Sequence, residues 1–256
     1  VAWLELDGAV NVRDVGGMAA ADGRQIAAGR LLRGDDLNDL SPADVDLLVA
    51  QIGLTTVIDL RSSAEVRDRG PGPLSRAGRV RHVHHSLLPE LGLAADVADV
   101  MEERIDRARA RCPGDLRAGL YLGYLEERPA QVAAAVRDIA RAGGPVVVHC
   151  AAGKDRTGVI VAMALTACGV RRDAVIADYA ATAERIGPLL ARLRGTEVYA
   201  AGLDREPAAD HVPQAATMAA FLDQLEARFG GVLRWLSGHG FAADDVRMLR
   251  AGLLAA

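Results

Sequence analysis

Residues 145–168 constrain the fold more tightly than any other stretch of the chain. Pro145-Val146-Val147-Val148-His149 is a short β-branched run, the mark of a strand buried on both faces. It passes without a linker into Cys150-Ala151-Ala152-Gly153-Lys154-Asp155-Arg156-Thr157-Gly158, then into 159–168, an apolar helix that Gly169 ends. A second run, Thr55-Thr56-Val57-Ile58-Asp59-Leu60, reads as another buried strand. An amphipathic stretch at 42–50 precedes it, with Ser41 as N-cap. Buried strands alternating with helices predict an α/β class: a central sheet flanked by helices, in one domain over 1–256.

The remaining periodicity predicts helices over 96–127, broken at Pro113, and over 130–141, beyond Pro129. Further helices are expected over 173–186, 215–229 and 242–254. Residues 68–78 and 195–213 lack a period and are expected to be loops, the longer one a candidate cover for a site. Half the chain is hydrophobic but only 4% aromatic, so the core must be built from Ala, Leu and Val. A net charge of -4 with well-mixed signs argues against bulk nucleic-acid or membrane-surface binding. No run approaches the roughly 18 apolar residues of a membrane span. Cys112, Cys150 and Cys168 are an odd set at wide spacing, neither a disulfide framework nor a zinc site, which suits a reducing compartment. The start of the chain lacks the basic and apolar regions of a signal peptide, so a cytoplasmic location is expected, with signal-less export left open. Nothing in the sequence speaks to oligomeric state.

Chemistry concentrates in the loop between strand and helix. Its backbone N–H groups can form an anion nest, and the following helix adds unpaired N–H groups and a positive dipole end. Ala151, Ala152, Gly153, Lys154, Asp155 and Arg156 would surround a phosphate, with the Cys150 thiol at the mouth. The same environment favours a thiolate, making Cys150 the expected nucleophile. Arg156 can return across the loop and hold two phosphoryl oxygens with its planar fork. Thr157 can donate to the Cys150 sulfur as the intermediate breaks down, and His149 is expected to orient the loop. The reaction implied is phosphoryl transfer to Cys150 followed by hydrolysis. Arg156 and the amides neutralise the phosphate, so no metal or cofactor is expected. His82, His84 and His85 lack an acidic or Cys partner in the sequence and are not read as a metal site. A sulfurtransferase or an inactive phosphate-binding module is the competing reading; Arg156 and Thr157 argue against both. Of 30 Lys and Arg residues one is lysine, Lys154. It is expected at the rim, as a mobile ammonium for a second anionic group of the substrate.

The Cys150-to-Arg156 spacing resembles the Cys-x5-Arg protein tyrosine phosphatase superfamily. The Gly153-Lys154-Asp155-Arg156 form is similar to its bacterial, atypical branch. Asn11-Val12-Arg13-Asp14-Val15-Gly16-Gly17, and Ile58-Asp59-Leu60-Arg61 with Glu65, are similar to two further motifs of that branch. The resemblance covers nearly the whole chain. It implies a tyrosine phosphatase-like α/β fold with a catalytic P-loop at its centre. It also implies phosphorylated protein, peptide or phosphoinositide substrates, and a helical lid whose counterpart would lie in 186–213. Asn11, Arg13 and Asp14 would support the loop. The leaving group needs a proton donor, and no Trp-Pro-Asp tripeptide is present. Asp155, inside the loop, and Asp59, at the end of a strand, are the two candidates, with Asp155 preferred. The alternative roles are a helix cap for Asp155 and a buried salt bridge with Arg13 or another arginine for Asp59.

Overall fold

The computed structural model describes residues 2–89, 97–203 and 208–255. Among them, six strands form one sheet: β1 (Ala2–Trp3), β2 (Arg13–Asp14), β3 (Leu31–Gly34), β4 (Thr56–Asp59), β5 (Arg81–His84) and β6 (Val146–His149). Their order is β1-β2-β3-β6-β4-β5. β6 lies between β3 and β4, parallel to both, and β5 continues the parallel part. β1 and β2 pair antiparallel at the other edge. Side chains of the central strands alternate between two buried faces: Leu31, Ile58, Val146 and Val148 enter one core, Leu32, Val57 and Val147 the other.

The helices follow from local signals. α1 (Pro42–Asp46) starts at a capping box in which Ser41 Oγ accepts from Asp44 N and the Asp44 carboxylate accepts from Ser41 N. It runs on as a π-helical turn, Leu47–Gln51. α2 (Ser63–Arg69) has the same device at Ser62 and Glu65. α3 (Val97–Arg111) and α4 (Leu116–Glu127) are separated around Pro113, and α5 (Pro129–Ala140) begins on its proline. Residue 96, the first of the helix expected there, lies outside the described residues. α6 (Asp155–Cys168) ends at Gly169, whose φ of 88° is the left-handed cap that the sequence calls for. α7 (Arg172–Ala181) leads through a 3-10 turn, Thr182–Arg185, into α8 (Ile186–Arg194). α9 (Glu197–Leu203) and a 3-10 turn, Ala208–His211, occupy much of the stretch expected to be a loop; 204–207 lie outside the described residues. α10 (Ala215–Phe229), α11 (Val232–Gly238) and α12 (Ala243–Leu253) complete the chain. In α6 nearly every residue from Thr157 onward is buried, so it is the core's central rod.

This topology fixes where a ligand can sit. Gly34 and Asp59 both pair with His149, so β3, β4 and β6 end level with one another and the 150–156 loop emerges at their carboxyl ends.

Candidate active site

Gly153 closes the loop against the sheet. Its φ is 65°, and a Cβ there would meet Gly34 C and O at 2.5 Å, so both the conformation and the space demand glycine. The loop carbonyls are tied from two sides. Asn11 Nδ2 donates to Ala152 O (2.8 Å), and Arg33 Nη2 donates to Gly153 O (2.8 Å). Arg13 in turn donates from Nη1 to Asn11 Oδ1 (3.0 Å) and from Nε to Asp178 Oδ1 (2.9 Å). Arg33 pairs with the other oxygen of Asp178. Burial alone would raise the Asp178 carboxyl, but Arg33 and Arg13 outweigh it and hold it below its ordinary value. One ionised carboxylate on α7 thus anchors both arginines behind the loop.

Arg156 is aimed by a second carboxylate. Its Nη1 and Nη2 meet Glu65 Oε2 and Oε1 at 2.6 and 3.0 Å, a bidentate fork. Glu65 Oε2 also accepts from Ser62 N (2.7 Å), so one side chain caps α2 and orients the arginine. Burial pushes Glu65 upward, but Arg156 overrides it and brings the carboxyl from 4.5 to about 2. The sequence signal for this residue is the Ser62-x-x-Glu65 capping pattern beside the Asp-Leu-Arg segment.

Asp155 opens α6 as its first residue rather than its cap; Lys154 holds the N-cap position, with no side-chain cap bond. Tyr121 of α4 donates to Asp155 Oδ1 at 2.5 Å, and Arg117 Nη1 approaches the same oxygen at 3.4 Å. Lys154 Nζ stands 3.6 Å from Oδ2. Burial would raise this carboxyl too, but Lys154, Arg117, Tyr121 and Arg156 together leave it lowered.

Several expectations are corrected by these placements. Lys154 is not a mobile rim ammonium: it is 3% exposed, and its Nζ donates to His211 O at 2.9 Å. Asp59 does not line the pocket. Its carboxylate takes Arg61 Nε at 3.0 Å and Nη2 at 2.7 Å, and His149 Nε2 lies 3.7 Å away. Burial opposes its ionisation, but His149 and Arg61 drive its pKa far below the ordinary value, so it holds a structural charge. The salt-bridge partner is Arg61, whereas Arg13 serves Asp178. Asp14 accepts from Gly16 N and Gly29 N, bracing a turn rather than the loop. Cys150 is 1% exposed and is not among the residues lining the pocket, so its thiol does not stand open at the mouth. Burial lowers His149, against the opposing pull of the Asp59 charge. Thr157 Oγ1 is buried and makes no hydrogen bond, so its bond to Cys150 is not formed here. His82, His84 and His85 do not converge: His84 Nε2 bonds Arg61 O and His85 Nε2 bonds Asp138.

A pocket of about 400 Å³ stands over the loop. Its floor is Ala151, Ala152, Lys154, Asp155 and Arg156; α8 supplies an aliphatic wall of Ile186, Leu189, Leu190 and Leu193. Tyr199 and Leu203 of α9 and His211 close the far side. Arg192 and Tyr199 fasten these helices to the loop after β3, donating to Asp36 O and Asp36 Oδ2 at 3.0 Å each. The pocket thus joins a floor carrying Lys154 and Arg156, beside Asp155 and Glu65, to an aliphatic wall, which suits a phosphate ester whose other half is less polar.

The model of the tyrosine phosphatase family matches residues 4–255. The chain is 32% identical to the triple specificity protein phosphatase PtpB of Mycobacterium tuberculosis, across 99% of this chain and all of that one. A Cupriavidus necator protein is also 32% identical, across 98% of this chain and 88% of its own. The crystal structure of P. aeruginosa TpbA overlaps 77% of this chain and 89% of its own at 18% identity, with a TM-score of 0.33. Among the described residues no helix is long and apolar enough to cross a membrane. With its α/β sheet and its Cys150-to-Arg156 loop, the chain belongs to the tyrosine phosphatase family.

Proposed function

We propose that the protein hydrolyses phosphomonoesters through a cysteinyl-phosphate intermediate, with Cys150 as nucleophile, Arg156 as phosphate clamp and Asp155 as general acid. The observation that carries this reading is the convergence of Arg156, Asp155 and the loop beneath one pocket, with Glu65 aiming the guanidinium. In the first step Cys150 sulfur bonds to phosphorus, the ester P–O bond breaks, and the Asp155 proton passes to the departing oxygen. In the second, a water oxygen attacks phosphorus and gives its proton back to Asp155. The S–P bond breaks, and phosphate and the thiolate are released. Rotation of the Thr157 hydroxyl, which makes no bond at rest, would stabilise that departing sulfur.

Asp155 is ionised at rest, as its lowered pKa requires. A phosphate dianion in the loop adds negative charge beside it, which favours the protonated form when the proton is needed. α8 and α9 serve as the lid. Phosphotyrosine is the primary substrate. Phosphoserine, phosphothreonine and phosphoinositides are included on the strength of the triple specificity carried in the name of the mycobacterial relative. The test is turnover of p-nitrophenyl phosphate and of an alkyl phosphate, without added metal, by wild type, Asp155→Asn and Asp59→Asn. Asp155→Asn is expected to slow alkyl phosphates far more than aryl phosphates with good leaving groups. That pattern appearing in Asp59→Asn instead would remove Asp155 from the mechanism.

A further inference from the structure

The Asp155 carboxylate is the end of a buried hydrogen-bond chain that the reaction scheme above does not use. Tyr121 lies 2.5 Å from Asp155 Oδ1 and 2.7 Å from the hydroxyl of Tyr179. An ionised carboxylate only accepts, so Tyr121 spends its one hydrogen on Asp155, and Tyr179 must donate to Tyr121. The direction is therefore set: Tyr179 to Tyr121 to Asp155. A hydroxyl that accepts one bond becomes a better donor of the next.

Both rings are held rigidly. Tyr121 is 1% exposed and meets Tyr179 and Phe221 edge-on, at 76° and 79°. Gly158 leaves the Tyr179 ring its place, since a Cβ there would come within 2.9 Å of it. Tyr179 also follows Asp178, the carboxylate that anchors Arg13 and Arg33 behind the loop. Two adjacent residues of α7 thus govern the loop from one side and the acid from the other.

We propose that Tyr121 is a positioning residue for the acid: it fixes Asp155 Oδ1 and directs the transferable proton to Oδ2, with Tyr179 setting its orientation. The proposal rests on Asp155 as the general acid. A packing role alone would need only the ring, and Tyr179 would satisfy the hydroxyl. The contact with a charged oxygen is what makes the bond strong. Lys154 and Arg156 face Asp155 from the loop, Arg117, Tyr121 and Tyr124 from α4, and Tyr179 from α7; Glu65 and His211 line the same pocket. Burial first, then the charge of Asp155, pushes the Tyr121 phenol well above its ordinary value, so it stays a donor throughout the working range.

Tyr121→Phe keeps the ring and removes the bond. The ionised form of Asp155 then loses a donor, its pKa rises, and the basic limb of the pH–rate profile moves upward by on the order of one unit. Turnover of alkyl phosphates should fall about tenfold while good aryl leaving groups and KM change little, because the proton is no longer directed. Tyr179→Phe should act in the same direction and less. Asp155→Asn is measured alongside. If it shows the leaving-group dependence while Tyr121→Phe slows every substrate alike with an unmoved basic limb, the proposal fails and the acid assignment stands. If Asp155→Asn shows no leaving-group dependence, both fail. Thermal unfolding of each variant controls for folding.

Discussion

Glu65→Gln is the sharpest single perturbation of this site. Glutamine keeps the volume and can still reach Ser62 N, but it removes the charge that aims Arg156. The magnitude follows by two routes. The Glu65 carboxyl falls from 4.5 to about 2 on folding. At about 1.36 kcal/mol per unit this is roughly 3 kcal/mol of stability. Independently, removing one partner of a buried ion pair costs about 3–5 kcal/mol. Because the folded pKa is depressed, the contribution is complete above pH 4.5 and is lost as pH falls toward 2; more than half of it should be gone by about pH 3. Urea unfolding followed by Trp fluorescence, at a series of pH values from 7 to 3, reads this directly. The expected wild-type advantage is about 3 kcal/mol at pH 7, shrinking steadily below pH 4.5. A freed Arg156 should also cost about a hundredfold in kcat/KM, the scale of a 1 Å misplacement. A gap under about 1 kcal/mol at pH 7, or one that does not change with pH, would refute the reasoning that this pair is buried and charged.

Cys150→Ser should abolish p-nitrophenyl phosphate turnover and keep phosphate binding and an unchanged circular dichroism spectrum; appreciable turnover would exclude a cysteinyl intermediate. Arg156→Lys should lose at least a hundredfold in kcat/KM, because an ammonium cannot make the two-point contact either with Glu65 or with phosphate. Lys154→Arg should overpack a buried position at a cost of about 1–3 kcal/mol, lowering Tm by several degrees; an unchanged Tm would mean that shape does not select lysine there.

The legible and illegible parts of this fold divide along sequence separation. β6, the loop and α6 are contiguous, and each carries its own signal: four buried β residues, a glycine with positive φ, an apolar rod closed by Gly169. Such features are local, so periodicity and composition report them. β1 and β2 are two residues each and sit at an edge, too short for any period to register. α9 is seven residues long and its apolar face amounts to Tyr199 and Leu203, one turn apart, too short a pattern to set a period.

The site's second layer was hidden for a different reason. Arg33 finds Asp178 across 145 residues, Arg13 finds it across 165, and Arg156 finds Glu65 across 91. An arginine in a sequence rich in arginine announces no partner; only the fold chooses among the carboxylates. Asp59 shows the same point: a strand-end aspartate near the loop offers itself as an acid in the sequence, and the fold pairs it with Arg61, two residues on. Lys154 shows the opposite case. Its being the one lysine singles it out, and the structure places its ammonium in a buried, bonded position rather than a mobile one. A buried ammonium between the Asp155 carboxylate and the His211 carbonyl suits a compact, rotatable donor, and a broader guanidinium is expected to overpack there. The same lysine therefore ties the loop to the Ala208–His211 turn beside the pocket, and separating the two would break a buried charge-assisted bond.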